Sequence, residues 1–174
     1  MKDSSIKESK ESKESKDSKD SKDSSIKESF KSHFKESFIQ AAGRHLYDAE
    51  IMLAQHRWDN AVYLAGYVVE CTLKVIVEQY INNKACQKFG HNLRQLQGKG
   101  IGRLRIIYPI LDAQLSISRI KGTVLAEYHP ERRYFQSGWC KEFKAKEAVK
   151  RAAEIYNEII PKLILDGRIS SEEL

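Results

Sequence analysis

The segment from Ala61 to about Ile81 constrains the fold most, because a helix formed there would have very little polar surface. Apolar residues recur at helical spacing around most of its circumference, namely Val62, Leu64, Val68, Val69, Leu73, Val75 and Ile76. Other elements must cover such a helix, so we predict that it is central. Asp59 has the residue type of an N-cap and is predicted to begin it.

Two more long stretches have the helical period and are expected to pack against this helix. The chain shows no set of strand signals that could pair into a sheet, which excludes an α/β architecture. We predict an all-α fold, an antiparallel up-and-down bundle of four to five helices. The expected segments are a first helix over Lys31–His56, a short helix over His91–Gln97, a helix starting in Arg103–Tyr108 and interrupted at Pro109, partial helix over Leu111–Leu125, a loop over His129–Cys140 and a final helix over Lys144–Leu165.

The N-terminal segment, residues 1–30, repeats a triplet of Ser, Lys and an acidic residue and contains two aliphatic residues besides its first methionine, Ile6 and Ile26. It cannot bury enough apolar surface to offset the entropy lost on folding, so we predict a disordered tail before a helical domain over residues 31–174. Its eight lysines balance eight acids. The net charge of +6 therefore belongs to the domain, where 22 basic residues face 16 acidic ones. That balance is compatible with a phosphate-bearing partner.

The three cysteines are widely spaced and form no Cys-x-x-Cys pair, and no apolar run is long enough to span a bilayer. We therefore expect a cytoplasmic protein in a reducing compartment, with no membrane association. His45 and His56 would lie about 16 Å apart along one helix, so they cannot share a metal ion. No metal site and no cofactor are predicted.

A polar stripe crosses the apolar second helix at three- and four-residue spacing, which places its members on one face. It includes Tyr63, Tyr67, Glu70 and Lys74, and His91 at the start of the following short helix can reach it. Glu70 and Lys74 have the favourable order for an i, i+4 ion pair. The stripe is either a structural ion pair on the surface or a polar groove or dimer interface.

A second group of candidate residues lies before and at the start of the final helix: His129, Arg132, Arg133, Tyr134 and Lys144. Cations beside the free N–H groups of a helix N-terminus can bind an anion. Phe135 and Trp139 add rings on which single-stranded nucleic acid could stack. We predict a ligand-binding loop here, and the alternative is solvated charge beside core aromatic residues.

Several of these residues occur in the order found in one family of small helical domains. They are Asp48-Ala49 and Leu53, the run from Ala61 to Glu70 with Leu73-Lys74, Gly90-His91-Asn92-Leu93 and Arg133-Tyr134. With these residues, Gly43 to Ile160 resembles the HEPN family of prokaryotes and higher eukaryotes. The resemblance implies a helical bundle that commonly forms homodimers. It also implies one of three roles: ribonuclease or toxin, partner of a minimal nucleotidyltransferase, or non-catalytic binding domain.

The ribonuclease members of that family carry an arginine followed after four to six residues by a histidine. Here Arg119 precedes His129 by ten positions, and Arg132 and Arg133 follow it. The resemblance therefore favours a non-catalytic module that binds a nucleotide, RNA or a protein partner, in a toxin-antitoxin or nucleotidyltransferase-associated system. The alternatives are a ribonuclease toxin with a displaced Arg/His pair and a structural dimer subunit of a nucleotidyltransferase complex.

Overall fold

The computed structural model describes residues 37–81, 86, 88–107, 120 and 122–174. No strand occurs within these ranges, and the predicted all-α class is confirmed there. The predicted tail over residues 1–30, the start of the predicted first helix and most of Leu111–Leu125 lie outside the described residues.

Helix α1 comprises Phe38–Ala54, and Ser37 caps its N-terminus by accepting a hydrogen bond from the Gln40 amide at 3.4 Å. It buries Phe38, Ile39, Ala42 and Ala49. Its end lies two residues before the predicted one, because His56 adopts a left-handed backbone conformation that stops the helix.

Helix α2 comprises Trp58–Tyr80 and is the central helix, as its apolar circumference predicts. Every residue from Val68 to Val77 is buried, including Glu70 and Lys74. By length and composition α2 could cross a membrane, and 78% of its most apolar window is buried within the protein, as in the core helix of a folded domain.

The predicted N-cap at Asp59 is wrong. Arg57 occupies the cap position without a side-chain hydrogen bond, and Asp59 lies in the first turn. The Asp59 carboxylate instead accepts hydrogen bonds from the backbone amides of Gly138 at 2.6 Å and Cys140 at 2.8 Å. This carboxylate therefore fixes a distant loop to the start of α2.

A short irregular helical region follows. Helix α3 comprises Leu93–Gln95 and continues into a π-helical turn, Leu96–Ile101, and helix α4, Gly102–Ile107. The helical assignment of the segment beginning at Arg103 is confirmed as far as Ile107. Gly100 lets this region approach α2, since a β-carbon there would lie 3.3 Å from Cγ2 of Val77.

The final long helix, α5, comprises Glu142–Leu165 and packs against both α1 and α2. Its buried face contains Ala145, Ala148, Val149, Ala152, Ile155, Ile159, Ile160 and Leu163. The loop before it contains one 3₁₀ turn, Glu131–Tyr134. The predicted loop over His129–Cys140 is confirmed apart from that turn.

Candidate functional site

The centre of the site is Glu70, whose residue surface is 2% exposed in the middle of α2. Its carboxylate accepts hydrogen bonds from three directions. Lys74 Nζ lies 2.8 Å from Oε1, His129 Nε2 lies 2.7 Å from Oε2, and His91 Nδ1 lies 3.0 Å from Oε1. Glu70 thus connects α2 to the segment before α3 and to the loop before α5. These three partners and Glu70 are called the Glu70 cluster.

The protonation states in the Glu70 cluster follow from burial and hydrogen bonding. Burial alone would raise the pKa of Glu70, but hydrogen bonds from His129 and Lys74 outweigh it and leave the pKa lowered. Burial lowers the pKa of His129, so its ring is neutral at physiological pH. An ionised carboxylate only accepts hydrogen bonds, so the ring nitrogens of His129 and His91 that face it carry protons.

His129 holds the loop in place and is not open to a ligand. Its side chain is 0% exposed, and its second nitrogen, Nδ1, is buried without a hydrogen-bond partner. That nitrogen packs against Gly66: a β-carbon on Gly66 would lie 2.6 Å from it. The sequence predicts His129 as a ligand-binding residue, and in this structure both of its ring nitrogens face the protein.

Arg132 is also inside the fold, at 2% exposure. Its guanidinium donates to the carbonyl oxygens of Val124 and Leu125, both at 2.7 Å. Burial lowers its pKa to about 10. The sequence predicts a ligand contact for Arg132, and in this structure its guanidinium donates to two carbonyl oxygens of the loop.

Around the Glu70 cluster, four rings surround Tyr67. Ring centroids of His129, Tyr63, His45 and His91 lie 4.7, 5.1, 5.5 and 5.9 Å from that of Tyr67. The Tyr63 and Tyr67 hydroxyls are 3.5 Å apart. Burial, reinforced by Tyr63, raises the pKa of Tyr67, which stays a neutral phenol. The predicted polar stripe is thus assembled in one place, as a largely buried network.

The solvent-facing part of the site is built by Tyr128, Arg133, Tyr134 and Phe135, with the half-buried Trp139 in contact with Phe135. These five residues are called the aromatic loop surface. Tyr134 is 77% and Tyr128 65% exposed. The Arg133 guanidinium lies 4.8 Å from the centroid of the Tyr134 ring. Phe135 forms edge-to-face contacts with Tyr128 at 5.5 Å and with Trp139 at 5.6 Å. One cation and several rings are therefore presented to solvent together.

Lys144 is exposed in the first turn of α5. The helix starts two residues earlier than predicted, so this turn also contains Glu142, which pairs with Lys146 at 2.6 Å. The acidic side chain reduces the attraction of this helix N-terminus for an anion. Of the predicted loop cations, Arg133 is the one that combines exposure with a neighbouring ring.

A cavity of about 640 Å³ opens between the two segments that Glu70 holds. Its described lining comprises Phe89, His91, Asn92, Leu93, Ala126, Glu127, Tyr128, His129, Pro130 and Glu131. The His91 side chain is 55% exposed at this cavity. Tyr128 belongs to both the cavity and the aromatic loop surface, and its positive φ of 56° is a strained conformation for a tyrosine.

Sequence reasoning identified Glu70, Lys74 and His91 as one group but placed His129 in another. It also missed Gly66, the residue whose lack of a side chain makes room for His129 and Arg132. The position of Gly66, in the interior of the helix and one turn before Glu70, was the available signal.

In the described part of the chain, no group of three or more His, Cys, Asp or Glu side chains is arranged to hold a metal ion. Comparisons of this chain with protein-family models, with curated proteins and with solved structures gave no match.

Proposed function

We propose that this protein is a non-catalytic, HEPN-like binding module that binds single-stranded RNA or its nucleotides through the aromatic loop surface. The observation that carries the proposal is the pairing of an exposed cation with exposed rings: Arg133 lies 4.8 Å from Tyr134, and Tyr128 and Phe135 follow in the same loop. Stacking of a base on such a ring contributes about 1 to 3 kcal/mol, and Arg133 would meet the phosphates.

The proposal includes the finer features that the sequence resemblance implies. These are the up-and-down arrangement of four to five helices, a homodimer, a cytoplasmic location and a setting in a toxin-antitoxin or nucleotidyltransferase-associated system. The net charge of +6, carried by the helical domain, supports a polyanionic partner over an uncharged one.

The ribonuclease alternative has less support. A displaced Arg/His pair would need His129 and Arg132 to reach a phosphodiester. His129 is fully buried with Nε2 on Glu70, and Arg132 donates to two carbonyl oxygens. A general base must lie within hydrogen-bonding reach of the proton that it removes. The nucleotidyltransferase-subunit alternative has no specific contact in its favour.

The test is fluorescence-anisotropy binding of a short single-stranded RNA at two salt concentrations. Arg133→Ala should weaken binding and reduce the slope of log affinity against log salt by about 0.7, as expected for one lost phosphate contact. Tyr134→Ala should weaken binding by about 1 to 3 kcal/mol if one base stacks there.

The matched control is Arg168→Ala, which removes another exposed arginine, one that lies 4.4 Å from the ring of Tyr80. It should lower affinity much less than Arg133→Ala. Circular dichroism confirms that each variant is folded. Failure of the wild type to bind RNA at low salt, or equal loss in Arg133→Ala and Arg168→Ala, would remove the aromatic loop surface as the binding site.

A further inference from the structure

The cavity and the aromatic loop surface are continuous. The edge-to-face row runs from Trp139 through Phe135 to Tyr128, with centroid separations of 5.6 and 5.5 Å, and Tyr128 lines the cavity. A strand whose bases stack along these rings would therefore bring one nucleotide to the cavity mouth. A volume of about 640 Å³ is in the range of small-molecule pockets, large enough for a base that has left its stack.

The charged residues in the described lining of the cavity disfavour a phosphate and are compatible with a base. Glu127 and Glu131 line it, and its described lining contains no lysine or arginine. Two carboxylates would repel a phosphate group, whereas Arg133, on the 3₁₀ turn that begins at Glu131, is exposed outside the cavity. The backbone of a bound strand would accordingly remain on the cation while a base points inward.

The hydrogen-bonding groups of the cavity are mainly acceptors. Glu70 accepts from His91 Nδ1 at 3.0 Å, so in the neutral imidazole the acceptor nitrogen is Nε2. Glu127 and Glu131 add carboxylate acceptors. Asn92 supplies the complementary donor, because its Oδ1 accepts from the Gln95 amide at 3.0 Å and its NH₂ group is left to donate.

We propose that this cavity is a base-reading subsite that selects a nucleobase with an exocyclic amino group, such as cytosine or adenine, over uracil or hypoxanthine. The amino group would donate to His91 Nε2 or to a carboxylate, and the adjacent ring nitrogen would accept from Asn92. Uracil and hypoxanthine present a carbonyl oxygen at that position, which would face acceptors and leave them unpaired. This inference rests on the RNA-binding function proposed above.

The experiment compares four RNA octamers, oligocytidylate with oligouridylate and oligoadenylate with oligoinosinate, by fluorescence anisotropy at one salt concentration. Within each pair the phosphates are the same and the amino group is exchanged for a carbonyl. The wild type should bind the amino-bearing member of each pair at least about tenfold more tightly, the gain expected from one or two additional hydrogen bonds.

Two variants separate this subsite from the general RNA surface. His91→Phe keeps a ring of similar size but removes the acceptor. It should bring both affinity ratios, amino-bearing over carbonyl-bearing octamer, close to one, whatever its effect on the affinity for oligouridylate itself. Arg133→Ala should weaken all four octamers by a similar factor and leave both ratios unchanged. Glu131→Ala, an exposed position that should not disturb folding, should also lower the ratios, whereas Glu172→Ala, an exposed acid at the chain end, should not.

If the wild type binds all four octamers tightly but the two affinities within each pair differ by less than about twofold, the subsite is overturned and the RNA-binding proposal stays intact. Absence of binding to all four octamers would overturn both. A lysine-rich peptide that competes with the octamers in the wild type but not in Glu131→Ala would assign the cavity to a basic protein segment and overturn base reading.

Discussion

Replacing Gly66 with alanine tests whether the packing of the loop against α2 has the geometry described above. An alanine β-carbon would lie 2.6 Å from His129 Nδ1 and 2.9 Å from Arg132 Nη2. Ordinary contact begins near 3.4 Å, so the imidazole must retreat by about 0.8 Å. Its Nε2 is 2.7 Å from Glu70, and a retreat of that size takes it out of hydrogen-bonding range.

The expected cost follows from these displacements. Loss of a hydrogen bond to a charged group costs about 1.5 to 3 kcal/mol, and inserting a methyl group into a packed interior costs about 1 to 3 kcal/mol by itself. Alanine in a helix interior returns about 1 kcal/mol relative to glycine. We therefore expect Gly66→Ala to lower the free energy of unfolding by about 1.5 to 5 kcal/mol.

Urea denaturation followed by circular dichroism measures this change. Gly98→Ala is the control, since a β-carbon there meets no atom within 4 Å, and it should be neutral or slightly stabilising. In a His129→Ala background, Gly66→Ala should cost at least about 1 kcal/mol less than in the wild type, because the main obstacle is gone. An unchanged or raised stability of Gly66→Ala alone would refute the packing argument.

Three other predictions concern Glu70, His129 and Asp59. In urea denaturation, Glu70→Gln should destabilise the fold by about 3 to 5 kcal/mol, since it leaves the buried Lys74 cation unpaired. Adding Lys74→Met should restore part of that loss. Absence of any restoration would contradict the ion-pair assignment. Stability should fall as the pH falls below 6.5, because burial lowers the pKa of His129 in the folded protein and the unfolded chain therefore binds a proton first. It should fall further below about 4.5, where the lowered pKa of Glu70 acts in the same direction. Denaturation at several pH values should show a shallower first decline in His129→Gln. Asp59→Ala should lower the free energy of unfolding by about 1.5 to 3 kcal/mol, because two loop amides lose a charged acceptor. In a thermal melt, Asp59→Asn should recover part of this loss. Equal melting temperatures for Asp59→Ala and the wild type would exclude the anchoring role.

The long helices could be predicted from the sequence because their apolar spacing records which faces are buried. The centrality of α2 follows directly from its composition, and the buried residues of α5 recur at helical spacing. The ends were harder to place. Asp59 is a typical N-cap residue, but loop amides 79 and 81 residues away compete for its carboxylate, and a local pattern contains no information about such partners.

Part of the site could also be predicted from helical spacing. Glu70 and Lys74 are four residues apart, so helical periodicity brings them together. His129 is 59 residues from Glu70, and its role depends on how the loop folds back over Gly66. Arg132 and Arg133 are adjacent and chemically identical, yet one is buried on carbonyl oxygens and the other is exposed beside Tyr134. Only the three-dimensional path of the loop distinguishes them.

Because Arg132 is buried and Arg133 is exposed, these adjacent arginines contribute differently to the electric field outside the protein. Glu70 and Lys74 neutralise each other, and His129 is neutral, so the Glu70 cluster contributes little to the field outside the protein. The salt dependence of binding should therefore come from exposed cations such as Arg133 and Lys144. Changes in the Glu70 cluster should affect binding through the position of the loop. Hence a folded Lys74→Met variant should keep the salt slope of the wild type even if its affinity is lower, whereas Arg133→Ala should change the slope itself.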